Sequence, residues 1–477
     1  MNTKSTQRTK TSTPKMEIDK RAVLITVILS SFLTPFSGSS FNIALPSIAA
    51  EYALDAVSMS WASLAYLLAS AMFLIPFGRV ADMYGRKKVF LYGIALFTVS
   101  SALLGLFPTS QTLVLFRALQ GIGSSMIFGT SLAILVSVAT PEERGRMLGT
   151  SVAAVYVGLS AGPYIGGFLT KNFGWRSIFM VNVGIGALVM IMILTKLKME
   201  WREEHSGKFD MVGSASFSLM LLALMYGMSK LPSQVAFLPI AIGLVLLGVF
   251  VYIEELVENP VLDLSIFLSN RRYSLFNIAA LINFSATYSL TFLLSMYLQY
   301  HKGLDAQAAG AILMASPIIQ AIVSPVAGQL SDKIAPAKIA SVGMAVTAIA
   351  LAPLAIVSDA TSIIYIIGCL MILGAGLALF SSPNTNAIMG TVDRSLLGVA
   401  SSTVGTMRLL GQMFSQGIAM TLLAINLGTA SIVPTLYPQL LNSIQSTFMV
   451  FFVLCIIGAV ASYAGSSMVS NNKGGEV

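Results

Sequence analysis

The sequence predicts an all-α integral membrane protein made of two related halves. Three observations carry that prediction. The 477-residue chain is 56% hydrophobic and only 10% charged, whereas a soluble domain carries about 25% charged residues. Its apolar residues gather in fourteen stretches, each near the roughly 20 residues that cross a bilayer as a helix. A basic, glycine-punctuated turn, Gly78-Arg-Val-Ala-Asp82-Met-Tyr-Gly85-Arg86-Lys87-Lys88, recurs in weaker form as Gly328-Gln-Leu-Ser-Asp332-Lys333-Ile-Ala-Pro336-Ala-Lys338. Each copy lies between two apolar stretches, and such internal repetition is how alternating-access transporters are built.

The stretches, in order, are 22–50, 58–78, 89–107, 110–139, 147–170, 177–195, 211–229, 235–253, 275–300, 307–330, 337–357, 361–382, 398–424 and 441–466. The first follows a basic tail, 1–21, and is too long for a signal-peptide core, so it reads as an uncleaved anchor. With that tail inside, 22 of the 28 Lys and Arg fall on the cytoplasmic side and four outside, while Arg117 and Arg408 lie within spans. That asymmetry fits an even number of spans with both termini cytoplasmic. A twelve-span count would demote 211–229 and 235–253, yet both are nearly uncharged and long enough to cross. The expected organisation is a tail (1–21), six spans (22–195), a linker region holding the extra pair (196–274), six spans (275–466) and a second tail (467–477).

Composition also narrows the chemistry. Cys369 and Cys455 both lie in apolar stretches, which argues against a disulfide framework. His205 and His301 are far apart, and no cluster has metal-ligand or triad spacing. No Gly-x-x-x-x-Gly-Lys-[Ser/Thr] phosphate loop is present. The expectation is therefore a non-enzyme with no cofactor and no metal. The net charge of +8 follows the membrane topology rather than forming a nucleic-acid patch.

Three motifs carry the functional reading. In the turn, Gly78 and Gly85 permit close helix approach and unusual backbone angles, and Asp82 can cap a helix or meet a cation; the bland alternative for the basic residues is an ordinary cytoplasmic loop. In Leu113-Val-Leu-Phe-Arg117-Ala-Leu-Gln120-Gly121, Arg117 lies inside the fourth span, where a charge needs a partner or a wet cavity. Gln120 shares its helix face; the alternative is an arginine satisfied by backbone carbonyls. In Gly158-Leu-Ser-Ala-Gly162-Pro163-Tyr-Ile-Gly166-Gly167, three glycines at i, i+4 and i+8 clear one face of the fifth span, and Pro163 favours a kink. The stripe alone signals only helix packing.

Together these motifs resemble the major facilitator superfamily, in its fourteen-span drug:proton antiporter branch. The turn is similar to the family's Gly-x-x-x-Asp-x-x-Gly-Arg-[Arg/Lys] loop, the Arg117 segment to its buried-arginine motif, and Gly-Pro-x-x-Gly-Gly to its antiporter motif. Asn42-Ile-Ala-Leu-Pro46, Trp61, Tyr66-Leu-Leu, Trp175-Arg176-x-Ile-Phe-x-x-Asn182, Glu258-Asn-Pro260 to Phe267, and Arg408-x-x-Gly411 extend the resemblance over almost the whole chain. The resemblance implies a major facilitator fold: two six-helix bundles plus two extra central helices. It implies a cytoplasmic latch at Gly78, Asp82, Gly85 and Arg86, with a weaker one at Gly328 and Asp332. It implies coupling or substrate-cavity roles for Asn42, Tyr66, Arg117, Gln120, Arg408 and Gln412. It implies an antiporter helix at Gly158, Gly162, Pro163, Gly166 and Gly167.

The chain departs from that pattern in one respect. No Asp or Glu lies deep inside a span, and Ser37 stands where the branch commonly has an acid, five residues before Asn42. A buried carboxylate binds an organic cation and releases it on protonation; this chain lacks one there. The deep charges are Arg117 and Arg408, the latter roughly 15 Å of helix rise into its span, so neutral or anionic amphipathic solutes are expected over multivalent cations. The alternative is that Arg408 packs outside the cavity. The expected activity is export of small amphipathic compounds in exchange for protons, by a monomer in the cell membrane whose partners are substrate, protons and lipid. A carrier of one anionic or neutral metabolite is the second reading, and a non-transporting sensor a third.

Overall fold

The computed structural model describes residues 19–201, 210–257, 264–392, 396–428 and 430–473. Among these the chain folds into fourteen helices long and apolar enough to cross a membrane: α1 Lys20–Tyr52, α2 Ala56–Tyr84, α3 Arg86–Leu106, α4 Ser110–Val138, α5 Met147–Phe173, α6 Arg176–Lys196, α7 Met211–Ser229, α8 Gln234–Leu256, α9 Arg271–His301, α10 Ala306–Ser331, α11 Pro336–Leu354, α12 Ile363–Met389, α13 Val399–Leu427 and α14 Pro434–Gly465. The expected count holds; most helices run a few residues beyond the apolar stretch, because caps and basic ends continue each one. His205 and residues 258–263, which include Glu258 and Pro260, lie outside the described residues, as do 1–18 and 474–477.

Acidic and hydroxyl side chains sit where helices need them. A helix start leaves backbone N–H groups without partners. Asp19, Asp55, Asp210 and Asp305 accept these N–H groups at the starts of α1, α2, α7 and α10. Thr109 and Thr112 form a reciprocal capping box at α4. The carboxylates thus lie at span ends for a physical reason.

The two groups of six helices pack by the same scheme. In the first, α1 packs on α5 and α6, α2 on α4, and α3 on α4 and α6; in the second, α9 packs on α13 and α14, α10 on α12, and α11 on α12 and α14. The repetition reaches single residues. Gly93 and Gly123 face one another's backbones where α3 crosses α4, and Gly343 and Gly376 do so where α11 crosses α12. A side chain at any of the four would overlap the opposite helix, so close packing without side chains, the main attraction available between helices in lipid, is used at equivalent places. Helices α7 and α8 form a hairpin packed on α2 and α13, where Ser218 Oγ donates to the Met72 carbonyl (3.1 Å) and Thr421 Oγ1 to that of Met228 (3.2 Å).

The halves meet unevenly. On the face opposite the chain termini, the far face, they are sealed. Lys171 on α5 pairs with Asp305 at 2.9 Å. Gln299 on α9 donates to the Ile43 carbonyl of α1 at 3.0 Å, and Ser431 Oγ to that of Ala53 at 3.1 Å. Gly167 lies against the Ala306 carbonyl and Gly310 against that of Pro163, so α5 and α10 touch backbone to backbone. Toward the terminal face, a Cβ added at Gly78, Gly149 or Gly405, in the terminal halves of α2, α5 and α13, would meet nothing within 4 Å.

Two predictions follow from the seal. Gly310→Leu has only backbone to push against, so overpacking of about 1–3 kcal/mol should open the far face. Spin labels at Asn172→Cys and Asn426→Cys should then report a longer separation, and an unchanged one would refute the steric argument. Asp305 is held below the usual carboxylate range, first by the Ala308 backbone N–H and then by Lys171. A depressed carboxylate contributes above its unfolded value near 3.9 and loses that contribution only as pH falls through its folded value. The Lys171–Asp305 pair should therefore give the far-face separation no dependence on pH between about 5 and 8, measured with the same labels.

Candidate functional site

The site is built around a charge in the wrong solvent. Arg117, on α4, is 1% exposed. Its guanidinium lies 4.1 Å from the Phe41 ring centroid on α1 and 4.5 Å from that of Tyr66 on α2. Nε donates to the Ala62 carbonyl at 3.2 Å and Nη1 to Gln120 Oε1 at 2.5 Å. Gln120 Nε2 donates in turn to Ser101 Oγ (2.8 Å), and the Tyr66 hydroxyl to Ser124 Oγ (2.8 Å). A delocalised guanidinium suits two aromatic faces better than a compact ammonium would. Both readings of the sequence meet here: a backbone carbonyl takes one donor and the expected Gln120 another.

The neighbouring stretch of α1 is polar and buried. Asn42 Oδ1 accepts from Ser63 Oγ of α2 at 2.9 Å, and Ser37 accepts from Asn182 Nδ2 of α6 at 3.0 Å. Ser37, where an acid was the common alternative, thus serves as a neutral hydrogen-bond partner between α1 and α6.

The second half reaches this cluster through a break in α9. Regular helix runs over Arg271–Thr287 and resumes over Leu290–Met296. In the interval the Ser289 N–H is caught by Ser415 Oγ of α13 (3.0 Å), and Ser289 Oγ donates to Gln416 Oε1 (3.1 Å). The Tyr288 hydroxyl reaches across to α1 of the other half, where a Cβ added at Gly38 would lie 3.9 Å from it. One turn earlier on α9 is Phe284, and the Arg408 guanidinium lies 5.4 Å from its ring centroid. The Nε of half-buried Arg408 is enclosed without a hydrogen-bond partner, as is Nε2 of fully buried Gln416. Half-buried Gln412 is one turn beyond Arg408. Arg117 and Arg408 therefore belong to different halves and are linked through Tyr288 and Phe284. Tyr288, Ser289 and Gln416 escape sequence reading, because an uncharged tyrosine inside an apolar run carries no periodic or charge signal.

The other expected residues separate into two groups. On α5, a Cβ at Gly158, Gly162 or Gly166 would overlap Phe32, Ser39 or Ser40 of α1, whereas Gly167 and Pro163 face α10. The glycine motif thus packs α5 on its own bundle with one face and on the other half with another. At the terminal face, Arg86 Nε pairs with Asp82 Oδ1 at 2.8 Å and Nη1 donates to Ser137 Oγ at 3.1 Å. In the second copy, Ser331 Oγ donates to the Gly328 carbonyl (2.7 Å) and accepts from Asn386 Nδ2 (3.1 Å); the Asp332 side chain lies outside the described residues. Among the described residues no group of His, Cys, Asp and Glu is arranged to hold a metal ion.

Comparison with known proteins agrees with this architecture. The chain is 30% identical over 400 residues to the riboflavin transporter RibZ of Clostridioides difficile, covering 84% of this chain and 87% of that protein. It is 31% identical over 417 residues to the multidrug resistance protein Stp of Mycobacterium tuberculosis, covering 85% and 76%, and 28% identical over 419 residues to the drug efflux pump JefA of the same species, covering 86% and 82%. Among solved structures, a bacterial homologue of the lysosomal transporter Spinster, inward-facing and unoccupied, superposes with a TM-score of 0.69 at 15% identity, over 94% of this chain and 97% of that one; at that identity the likeness concerns the fold alone. The sequence signature of the Major Facilitator Superfamily matches residues 27–416, and with the repeated six-helix packing it identifies this chain as a member of that superfamily, a multi-pass membrane transporter.

Proposed function

We propose that this transporter exports small amphipathic organic molecules in exchange for protons, by rocking its two halves about the Arg117–Tyr288–Arg408 region. The observation that carries the reading is the single connected cluster that joins a buried cation in one half to a helix break in the other, beneath a far-face seal made by the glycine motif of α5. Breaks in membrane helices near the midplane are where transporters of this general design bind substrate. With both termini cytoplasmic, the arrangement is inward-facing: sealed outside and parted inside. Asp82 and Arg86 are then the latch that forms as the inner face closes.

The charge of the site favours neutral or anionic solutes. Glu51 is engaged by Arg176 and the Trp175 indole N–H, Asp55 caps α2, and Asp82 pairs with Arg86. These three carboxylates are thus already committed, and Ser37 and Asn182 offer only neutral hydrogen bonds. A specific metabolite is the second reading, favoured by the likeness to a riboflavin transporter, whose named substrate is a single compound.

The test uses purified protein in liposomes with an imposed pH gradient and a pH-sensitive dye inside. A neutral amphipathic drug and an amphipathic weak acid should dissipate the gradient, a cationic dye should not, and Arg408→Ala should abolish the response. Exchange of protons for the cationic dye by the unaltered protein would overturn the charge reading, and a response to riboflavin alone would select the metabolite carrier. Arg117→Lys forfeits the stacked planar contact, worth about 2 kcal/mol when desolvated, so exchange should slow roughly 30-fold; an unchanged rate would remove Arg117 from the mechanism. Tyr288→Phe removes the hydroxyl that meets α1 beside Gly38 and should change the rate a few-fold without lowering the amount of protein in the membrane.

A further inference from the structure

Helix α3 starts at Gly85, whose φ of 118° and ψ of 124° lie outside the range that L side chains adopt. Being glycine, it has no side chain to accept the free N–H groups of the first turn, the usual duty of the residue at that position. Two residues of the linker after α6 perform it. The Arg86 N–H donates to the Trp201 carbonyl at 2.8 Å. The Lys87 N–H donates to Glu200 Oε1, also at 2.8 Å, from 113 residues along the chain. The Glu200 carboxylate fills the space beside Gly85: a Cβ there would lie 2.6 Å from its carboxyl carbon. An anion is thus seated on the positive end of α3, within one residue of the Arg86 that pairs with Asp82. The Trp201 side chain packs with the buried apolar cluster containing Phe90 and Leu197, which anchors the linker independently of the carboxylate.

We infer that Glu200 is a positioning residue for the latch turn: a carboxylate from the linker that keeps residues 82–87 assembled while the halves are parted on the terminal face. Closure then meets a surface already in shape and avoids the ordering cost that a frayed turn would add. The inference rests on the latch reading of Asp82 and Arg86. It also explains why Gly85 is glycine: the position must both turn the chain and leave room for a carboxylate supplied from elsewhere.

The experiment uses the full chain in lipid nanodiscs, with Cys369→Ala and Cys455→Ala and spin labels at Tyr92→Cys and Ile334→Cys, exposed positions beside the two turns. Their separation reports how far the terminal face has closed. Glu200→Ala should lower the ratio of short to long separations by about tenfold, the scale of a lost helix cap. Glu200→Gln keeps an acceptor and should lower the ratio less. Adding Glu200→Ala to Asp82→Asn should lower it no further than Asp82→Asn does alone. A distribution unmoved by Glu200→Ala while Asp82→Asn shifts it overturns the inference and leaves the latch standing. A lower melting temperature with an unmoved distribution also overturns it, since that is what a purely structural cap would give. If Asp82→Asn moves nothing either, the latch reading falls and the inference with it. Should Glu200→Ala fail to fold, Glu200→Gln decides, and no shift in that variant counts against the proposal.

Discussion

A guanidinium removed from water, with no carboxylate beside it among the described residues, sets terms that the surrounding helices must meet. Leaving Arg117 unsatisfied at membrane depth would cost several kcal/mol or more. It is satisfied by parts from three helices: the Phe41 ring, the Tyr66 ring with the Ala62 carbonyl, and Gln120 on its own helix. Those contacts tie α1, α2 and α4 together at their middles. The same stretch of α1 then meets the Tyr288 hydroxyl beside Gly38, so the cluster around one charge extends into the other half. A cage of aromatic faces and neutral dipoles also lets halves that must separate do so without breaking a buried ion pair, whose removal from water is expensive.

The seal and the cluster serve complementary ends. Where α5 meets α10, backbone lies on backbone and no side chain needs to unpack. Such a surface holds by dispersion and fit and parts as a unit. The polar links described at that face, Lys171 with Asp305, Gln299 with Ile43 and Ser431 with Ala53, are partly exposed, hence individually weak. A far-face closure that is close-fitting yet shallow in energy suits a transporter whose two states must differ by only a few kcal/mol.

The hairpin of α7 and α8 extends the same logic outward. It rests on α2 and α13, the two helices that meet across the halves on that side, and the linker leading into it supplies Glu200 and Trp201 to the start of α3. The extra pair is therefore continuous, through a short tether, with the turn that carries Asp82 and Arg86.

Apolar run length determined the fourteen helices, because a continuous apolar segment of about 20 residues in lipid satisfies its own N–H and C=O groups only as helix. Charge scarcity likewise made Arg117 conspicuous, and glycine spacing marked the face of α5 that lies on α1. Tertiary structure decided what those residues touch. That Gly167 and Pro163 face the opposite half, that Tyr288 reaches α1 beside a break in α9, and that Glu200 caps a helix 113 residues away depend on contacts between helices distant in sequence. An uncharged residue in an apolar run, or an acid in a short linker, looks the same along the chain whether it faces lipid, water or a partner, and only the packing of fourteen helices selects among these.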